Sequence, residues 1–482
     1  MIRRLVALFT ALDLNTTTAV CIVGELTLYL LPADGGITTI LGAVLFVWFC
    51  TTMVIKHLRA FAILASYLFL RLTVLVSGVF IDNRSNFEEI GITSEPTGLF
   101  CLLAAYYVFF AWCAARIIES SWARPMVTMR PSPRALVLMR IWSLGLLLFC
   151  AALFIYVLVR GYSTGYPLFT GQDRFAFRRM FDDDRLFKLF MGNRVLLSVY
   201  FGVLYANLNG RFRILALILS LGCFLISFLF GEKFTSIVYM IFTFLMPIWI
   251  REASVSGGKA RPEIIIRLIK VALFISALTL PAILYQYGWS ANSEAAVEKL
   301  KSRISGQGAL WYVVSVKKEE WISIEQESAK KELSMLVWGN SNEGQEYPYA
   351  GLYRLMWSYM KPSLVQPYLN RGVTLTMGFE ANLLQLFGWI GMLFPIALCA
   401  GITGLASVYV AYALTCVDPV RLLIAFKLFD WISFGIVQGY LWFVVSGPAL
   451  GLVILGLFWE LLRPSAFGGL PALALGGRRS ER

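Results

Sequence analysis

Runs of about 20 apolar residues recur along almost the whole chain, separated mostly by short polar connections. Such a run crosses the hydrocarbon core of a membrane as a helix, because a helix satisfies its own backbone hydrogen-bonding groups. Two longer polar inserts, residues 160–194 and 289–378, interrupt the pattern. The apolar runs predict about twelve membrane-spanning helices. Their ranges are 16–33, 37–55, 60–81, 98–117, 136–159, 195–209, 213–231, 235–250, 268–288, 380–412, 422–439 and 441–461.

Composition agrees with this pattern. Hydrophobic residues make up 58% of the chain and charged residues 15%, and the mean hydropathy is +0.71. These values are far from those of soluble domains. We therefore predict an all-α polytopic membrane protein with three regions. Residues 1–288 contain nine membrane helices and the insert 160–194. Residues 289–378 form a large helical loop, and residues 379–482 contain three membrane helices and a cytoplasmic tail.

The distribution of positive charge predicts the orientation. The formal net charge is +13, and arginines and lysines gather in alternate connections, such as those around Lys56, Arg124 and Arg211. An excess of these residues marks the cytoplasmic side of a membrane protein. We therefore expect both termini in the cytoplasm, both polar inserts on the outer face, and no nucleic-acid partner.

Candidate metal ligands are few in the sequence. All eight cysteines lie within or beside apolar runs, and the only histidine, His57, lies in a short cytoplasmic connection. We expect neither a disulfide framework nor a metal or cofactor site. Chemistry on the outer face then depends on carboxylates, arginines and aromatic residues. Such residues suit a reaction that releases a lipid pyrophosphate, because arginine can neutralise the departing charge.

The first polar insert is rich in arginine. If residues 173–188 form one helix, Arg174, Arg178 and Arg185 lie on one face of it. The planar guanidinium group binds phosphate oxygens through two hydrogen bonds. The same pattern also fits an amphipathic helix whose arginines contact lipid headgroups and pair with the acidic run 182–184, and the sequence leaves both interpretations open.

The large insert contains one distinctive string, from Arg303 through Gly306, Gln307 and Gly308 to Trp311 and Tyr312. An arginine beside paired aromatic residues fits a phosphate contact next to a surface that stacks on a sugar. The alternative is a helix break whose aromatic residues lie in the membrane interface. Helical spacing of apolar residues predicts amphipathic helices over 293–314 and 317–336, and a short helix over 349–360, which together form a cap on the outer membrane surface.

Several charged residues lie inside or at the ends of predicted spans. Glu25 and Arg71 are in mid-span positions and are predicted to form an ion pair, with an ion or proton path as the alternative. Lys427 and Asp430 share one face of the eleventh span. Three further charged residues lie at the outer ends of spans, where a lipid headgroup would be, and these are Glu232, Lys233 and Glu380.

The arrangement of spans and loops resembles the Wzy-type O-antigen and oligosaccharide repeat-unit polymerases. The resemblance is carried by the arginine-rich outer loop after the fifth span, the larger outer loop after the ninth, the string at 303–311, and the sequence Gly378-Phe379-Glu380 at the start of the tenth span. It implies a metal-independent integral membrane glycosyltransferase of the GT-C class in the bacterial inner membrane. Its substrate would be an undecaprenyl pyrophosphate-linked oligosaccharide, polymerised at the periplasmic face.

The resemblance implies essential arginines in the two loops. Our hypothesis is that Arg178 and Arg303 bind the donor pyrophosphate and that Glu380 or Glu232 deprotonates the acceptor hydroxyl. The other predicted substrate contacts are Arg174, Arg179, Lys233, Gln307, Trp311 and Tyr312.

Two other functions remain open at this point. An O-antigen ligase shares the topology but is expected to use a histidine in the large loop, where this chain has none. A lipid-linked oligosaccharide flippase or transporter would use the charges within the spans, although no repeat is visible between the halves of the chain, as transporters commonly show. Membrane lipid and a chain-length regulator protein are the further candidate partners.

Overall fold

The computed structural model of the chain describes residues 13–31, 35–124, 126, 131, 133–170, 172, 174–232, 234–258, 293–322, 325–338, 351–370, 375, 378–439 and 444–462. Within these ranges the fold is all-α, apart from one small hairpin in which β1 (Asn86–Phe87) pairs antiparallel with β2 (Ile92–Thr93). The predicted all-α class is confirmed.

Most of the described helices before the large insert match the apolar runs. Two short helices lie inside the predicted polar insert 160–194, and the helix that follows them begins there. The described helices before the large insert are α1 (Leu14–Leu30), α2 (Gly35–Lys56), α3 (Leu58–Asp82), α4 (Leu99–Ile118), α5 (Pro133–Thr164), α6 (Pro167–Thr170), α7 (Arg174–Arg179), α8 (Arg185–Asn207), α9 (Arg211–Leu229) and α10 (Phe234–Val255).

The described helices of the insert and of the carboxyl-terminal region are shorter on average. They are α11 (Ser293–Ser305), α12 (Ala309–Lys317), α13 (Gln326–Trp338), α14 (Gly351–Tyr359), α15 (Pro362–Asn370), α16 (Glu380–Gly391), α17 (Leu393–Cys416), α18 (Pro419–Gln438) and α19 (Gly447–Leu462).

Eight helices in the described ranges are long and apolar enough to cross a membrane. The membrane-embedded class is therefore confirmed, while the larger predicted number of spans stays a prediction. Helices α1 and α19 are apolar but shorter, and α18 contains Arg421, Lys427 and Asp430. The predicted ninth span, 268–288, lies outside the described residues. The eight candidates are α2, α3, α4, the stretch from α5 through α6, α8, α9, α10 and α17.

The centre of the bundle is formed by α3 and α4. Helix α4 packs against α1, α3 and α17, and α3 packs against α10. Asp82, the last residue of α3, joins the two central helices, because its carboxylate accepts hydrogen bonds from the backbone N–H groups of Leu99 (3.0 Å) and Phe100 (3.1 Å) in α4. A carboxylate is stabilised at a helix amino terminus, where backbone N–H groups lack partners within the helix.

The predicted tenth span, 380–412, is not one helix. It divides into α16 and α17 near Gly388, whose φ of 74° and ψ of −178° are not helical. The carbonyl oxygens of Glu320 and Trp321 lie 2.7 and 2.9 Å from the position that a Cβ on Gly388 would occupy. The helix is therefore broken where the large insert packs against it, and only glycine fits there easily.

The predicted helices of the large insert are also subdivided. The predicted helix 293–314 is two helices, α11 and α12, with turns at 306–308 between them. Helix α11 contacts α3, and α12 contacts both α14 and α16. The described residues of the insert are mostly helical, and α12 is buried in the protein core rather than lying on a membrane surface.

Candidate functional site

An acidic residue, Glu232, holds two arginines near the ends of α8 and α9. Arg194 Nη2 donates a 2.8 Å hydrogen bond to Glu232 Oε2, and its Nη1 lies 2.6 Å from Oε1. Arg178 forms an ion pair with the same carboxylate. The side chain of Glu232 is 3% exposed, whereas that of Arg178 is 33% exposed. One guanidinium group of this cluster can therefore be reached from outside the protein.

A core of phenylalanines fixes the position of Arg178. Phe177 is buried and lies 5.0 Å from Phe181 and 5.2 Å from Phe230, measured between ring centroids. Phe181 in turn stacks on Phe187 at 4.2 Å. Because Phe177 precedes Arg178 in the short helix α7, burial of this ring directs α7 toward Glu232. Aromatic pairs of this kind contribute about 0.5–1.5 kcal/mol beyond the area they bury.

The condition of one continuous helix in this insert is not met, because residues 174–179 and 185–188 belong to two helices. Helix α7 ends at Arg179, residues 180–183 form turns, and α8 begins at Arg185. Arg174 and Arg178 remain on one helix, while Arg185 lies on the exposed surface of the next. Burial, followed by the charge of Arg174, lowers the pKa of Arg178 from its ordinary value. An arginine stays protonated at physiological pH, so a nearby anion would stabilise it.

Charged residues of α18 extend this cluster through contacts with α8 and α10. Lys427 Nζ donates a 2.7 Å hydrogen bond to the backbone oxygen of Gly192 in α8. Asp430, one turn further along α18, accepts a 2.8 Å hydrogen bond from the hydroxyl of Tyr239 in α10. Asp430 also lies close enough to Arg194 to interact with it electrostatically. We name Arg178, Arg194, Glu232, Lys427 and Asp430 the arginine cluster.

The predicted ion pair between Glu25 and Arg71 was wrong. Arg71 pairs instead with Glu380, and both side chains are buried. Glu25 is also fully buried, and a Cβ on Gly42 would lie 2.7 Å from both Glu25 Oε2 and Cys101 Sγ. Sequence could not distinguish the two partners of Arg71, because both are carboxylates in or beside apolar runs.

Gly378 is required for the pair between Arg71 and Glu380. Its φ is 76°, and a Cβ at this position would overlap the guanidinium group of Arg71. Tyr67, one turn before Arg71, is 1% exposed. Within the described part of the chain, three buried atoms around the pair make no hydrogen bond, and these are Arg71 Nη1, Glu380 Oε2 and the Tyr67 hydroxyl.

A second polar centre forms around Arg354 in α14. Its Nη1 donates a 2.7 Å hydrogen bond to Gln385 Oε1, and its Nη2 donates to Asn382 Oδ1. Glu332 Oε1 lies 3.5 Å from Arg354 Nε and accepts bonds from the Gly351 N–H (2.5 Å) and Asn382 Nδ2 (3.1 Å). Burial raises the pKa of Glu332, although Arg354 acts in the opposite direction.

The distinctive string of the large insert is dispersed over several environments. Arg303 is exposed on α11, and Gln307 donates a 3.4 Å hydrogen bond back to the Arg303 carbonyl. Trp311 is fully buried and stacks on Tyr106 of α4, with 6.0 Å between ring centroids. The Tyr312 hydroxyl accepts a 2.8 Å hydrogen bond from the Glu95 N–H. Neither aromatic ring forms an open surface for a sugar, because both pack into the protein.

The remaining predicted site residues divide as follows. Arg174 is half-buried, with its Cβ near the backbone of Gly231, and Arg179 is exposed on α7. Lys233 lies outside the described residues. The structure therefore brings together Arg178 and Glu232 of the predicted set, and it places Arg303 and Glu380 on other elements, α11 and α16.

Several polar residues of these centres were missed in the sequence. Arg194 lies in the first three turns of an apolar helix, and a lone arginine in such a place is the signal that could have identified it. Glu332 and Arg354 carried no comparable signal, because each occurs in a polar or mixed segment, and Asn382 lies near the start of the predicted tenth span. In the described ranges, histidine, cysteine and carboxylate side chains form no group of three suited to a metal ion.

Comparison with known proteins gives one match. A family described as "Family of unknown function (DUF6418)" matches residues 346–453. This stretch includes Arg354, Glu380, Lys427 and Asp430, and so overlaps both polar centres. No curated protein and no solved structure matches the chain. The chain is therefore similar, over residues 346–453, to a family of unknown function.

Proposed function

We propose that this protein is a metal-independent membrane glycosyltransferase that polymerises undecaprenyl pyrophosphate-linked oligosaccharide repeat units. The reaction takes place at the periplasmic face of the bacterial inner membrane. The observation that supports this proposal most directly is the contact of two arginines with one carboxylate, Glu232, beside the ends of membrane helices. Two guanidinium groups that converge on one site offer the donors that an anionic headgroup needs.

The chemistry of arginine favours pyrophosphate as that anion. A guanidinium group presents a planar pair of donors that matches phosphate oxygens and stays charged at physiological pH. Arg178 is partly exposed and Arg194 more deeply placed, so the two side chains can contact the two phosphates of one pyrophosphate at different depths. The lipid chain would then lie along the apolar surface of the neighbouring helices.

In the proposed reaction, the acceptor hydroxyl oxygen bonds to the anomeric carbon of the donor sugar as the bond from that carbon to the pyrophosphate oxygen breaks. The pyrophosphate leaves with the bonding electron pair, and Arg178 and Arg194 neutralise its charge. Pyrophosphate competes with Glu232 for these arginines, and a Glu232 carboxylate released in this way accepts the hydroxyl proton. Glu380 is the second candidate base, but its buried pairing with Arg71 makes it less accessible.

A flippase for the same lipid-linked substrate is the second candidate. Lys427 and Asp430 within α18 favour it, because ionisable residues in a membrane helix commonly mark a path for a polar substrate or a proton. Transport and polymerisation use the same lipid pyrophosphate, so the arginine cluster fits both. The reaction products distinguish a polymerase from a flippase.

The test is to incubate the purified protein in detergent with an undecaprenyl pyrophosphate-linked repeat unit from the source strain and to separate the products on a gel. We expect a ladder of polymer lengths without nucleotide sugar or added metal. Absence of a ladder, together with movement of the labelled substrate across vesicles, would replace this proposal with the flippase.

Variants refine the assay. Arg178→Ala and Arg194→Ala are expected to abolish the ladder while protein amounts stay unchanged. Arg185→Ala is the matched control, because this arginine lies exposed at the start of α8. Wild-type chain lengths in the Arg178 and Arg194 variants would contradict the assignment of the arginine cluster.

A further inference from the structure

A pocket of about 340 Å³ opens between the large insert and α16, apart from the residues assigned to pyrophosphate. This volume falls within the range of about 300–1,000 Å³ that is typical of small-molecule sites. Its walls are the end of α12, the segment after it, the end of α14 and one side chain of α16. The lining residues are Val314, Lys317, Lys318, Glu319, Glu320, Glu325, Tyr359 and Gln385.

Backbone hydrogen bonds hold the described residues of this wall, 318–322 and Glu325, in place. The Ile390 N–H donates a 2.8 Å bond to the Trp321 oxygen, and the Glu325 N–H donates a 3.1 Å bond to the Leu386 oxygen. Trp389 Nε1 adds a 3.0 Å bond to the Lys318 oxygen. The break of the helix at Gly388 makes these bonds possible, because residues after the break turn their N–H groups toward the insert. The wall is therefore ordered before a ligand arrives, which lowers the entropic cost of binding.

The pocket is lined by two lysines and three glutamates, and the neighbouring Arg354 supplies the third positive charge. Lys318 Nζ lies 2.9 Å from Glu320 Oε2 and 4.0 Å from Glu325 Oε1. Glu325 also lies 3.9 Å from Nη1 of Arg354. Lys317 Nζ lies 4.9 Å from the centre of the Tyr359 ring. A phosphate would require an excess of positive charge, which the arginine cluster has and this pocket lacks.

Groups of this kind suit a neutral ligand with many hydroxyl groups. Carboxylate oxygens of Glu319, Glu320 and Glu325 accept hydrogen bonds from hydroxyls, and Gln385 has both donors and acceptors. Gln385 is held in turn by Arg354 at 2.7 Å and by the Tyr359 hydroxyl at 3.5 Å. Gln385 is therefore held in a position where it can orient a hydroxyl group of the ligand.

We propose that this pocket binds a neutral pyranose ring of the acceptor repeat unit. The binding of a neutral sugar follows from the volume and the charge balance of the pocket. Its assignment to the acceptor rests on the proposed function. The donor pyrophosphate and the acceptor sugar would then be recognised by different chemistry, the first by the two arginines that share Glu232 and the second by paired charges and amides.

The test measures binding of free sugars to the full-length protein in detergent by saturation-transfer NMR. The probes are the methyl glycosides of glucose, galactose, mannose and N-acetylglucosamine, with glucuronate as the anionic comparison. We expect transfer to at least one neutral glycoside and none to glucuronate. Preference for glucuronate, or transfer to no neutral glycoside, would overturn the proposal.

Substitutions of the lining residues test whether the sugar binds in this pocket. Gln385→Ala and Glu325→Gln together are expected to weaken binding about tenfold, because they remove hydrogen bonds of about 0.5–1.5 kcal/mol each. Glu319→Gln, at an exposed lining position, is a milder variant that leaves the packed residues intact and is expected to weaken binding about threefold. The matched control is Glu327→Gln, on the exposed first turn of α13. Unchanged binding in both lining variants would contradict the location.

The polymer ladder separates this inference from the proposed function. If the wild type forms a ladder and the lining variants bind sugar as the wild type does, the proposal for the pocket is overturned and the proposed polymerase function stands. If the protein forms no ladder but binds sugar, and the lining variants abolish this binding, the proposal for the pocket is supported and the proposed polymerase function is overturned.

Discussion

Arg71 in α3 and Glu380 at the start of α16 form a buried ion pair, although 309 residues separate them in the chain. Their side chains are 7% and 2% exposed. The pair connects the central helix of the bundle with the helix that follows the large insert. Removing one partner from such a pair leaves an uncompensated charge in a medium that solvates it poorly.

Single substitutions at this pair are therefore expected to destabilise the protein strongly. Arg71→Met or Glu380→Met should each lower the free energy of unfolding by about 3–5 kcal/mol, and the double variant should lose less than either single one. Thermal unfolding in detergent measures the effect, with Arg140→Met on the exposed face of α5 as the control. Single variants as stable as the wild type would show that the pair contributes nothing.

A second prediction concerns Glu232, which competes with any anion for Arg178 and Arg194. Glu232→Gln removes the competing charge and keeps the shape of the side chain. We expect inorganic pyrophosphate to bind about tenfold more tightly to this variant than to the wild type, while ladder formation slows. The measurement is the increase in melting temperature with pyrophosphate concentration, and Glu298→Gln on the exposed surface of α11 is the control. Equal affinities in variant and wild type would exclude this competition.

A third prediction follows from the break at Gly388. Gly388→Ala combines a disfavoured backbone conformation, which costs about 1–3 kcal/mol, with contact between the new Cβ and the insert. We expect a lower melting temperature and faster proteolysis within 318–325. Gly145→Ala in α5 is the matched control, because a Cβ there meets nothing within 4 Å. Equal melting temperatures in both variants would contradict the role given to the break.

The stability contributed by Asp184 is expected to depend on pH. Burial acts to raise the pKa of Asp184, but hydrogen bonds from the Phe187 N–H, the Tyr156 hydroxyl and Arg160 outweigh it, so the pKa falls below its ordinary value of 3.8. A lowered pKa means that this stability is present above the unfolded-state pKa and is lost as pH falls through the folded-state pKa.

Asp184 is also the N-cap of α8. Asp184→Ala should therefore cost about 1 kcal/mol at neutral pH, and the difference from wild type should narrow as the pH is lowered past 3.8. Melting temperatures over a pH series provide the measurement, and Asp183→Ala at the exposed neighbouring position serves as the control. A difference that stays constant with pH would assign the effect to packing alone.

The spans could be predicted from sequence because length and apolarity alone decide whether a helix can cross a membrane. The termini of α2, α3 and α4 accordingly lie within a few residues of the apolar runs. The break at Gly388 could not be predicted in this way. An isolated glycine in an apolar run is compatible with a straight helix, and here the docking of Glu320, Trp321 and Glu325 decides the conformation.

The candidate site was harder to predict than the fold. Arg178 and Glu232 were both identified as site residues, but their contact depends on the turn that separates α7 from α8. The pattern that singled out Trp311 fits a packed core as well as it fits a surface that stacks on a sugar. Its burial against Tyr106 is a tertiary contact between residues distant in the chain, and periodicity carries no information about such contacts.

The burial of α12 has a consequence for biogenesis. This helix lies in the middle of the large insert, yet Leu310, Trp311 and Val313 are at most 2% exposed. They are covered by helices synthesised before the insert and by α16, which is synthesised after it. The insert therefore cannot complete its fold when it first leaves the ribosome. It waits for α16, and a chain that ends before α16 exposes a hydrophobic surface suited to recognition by proteases.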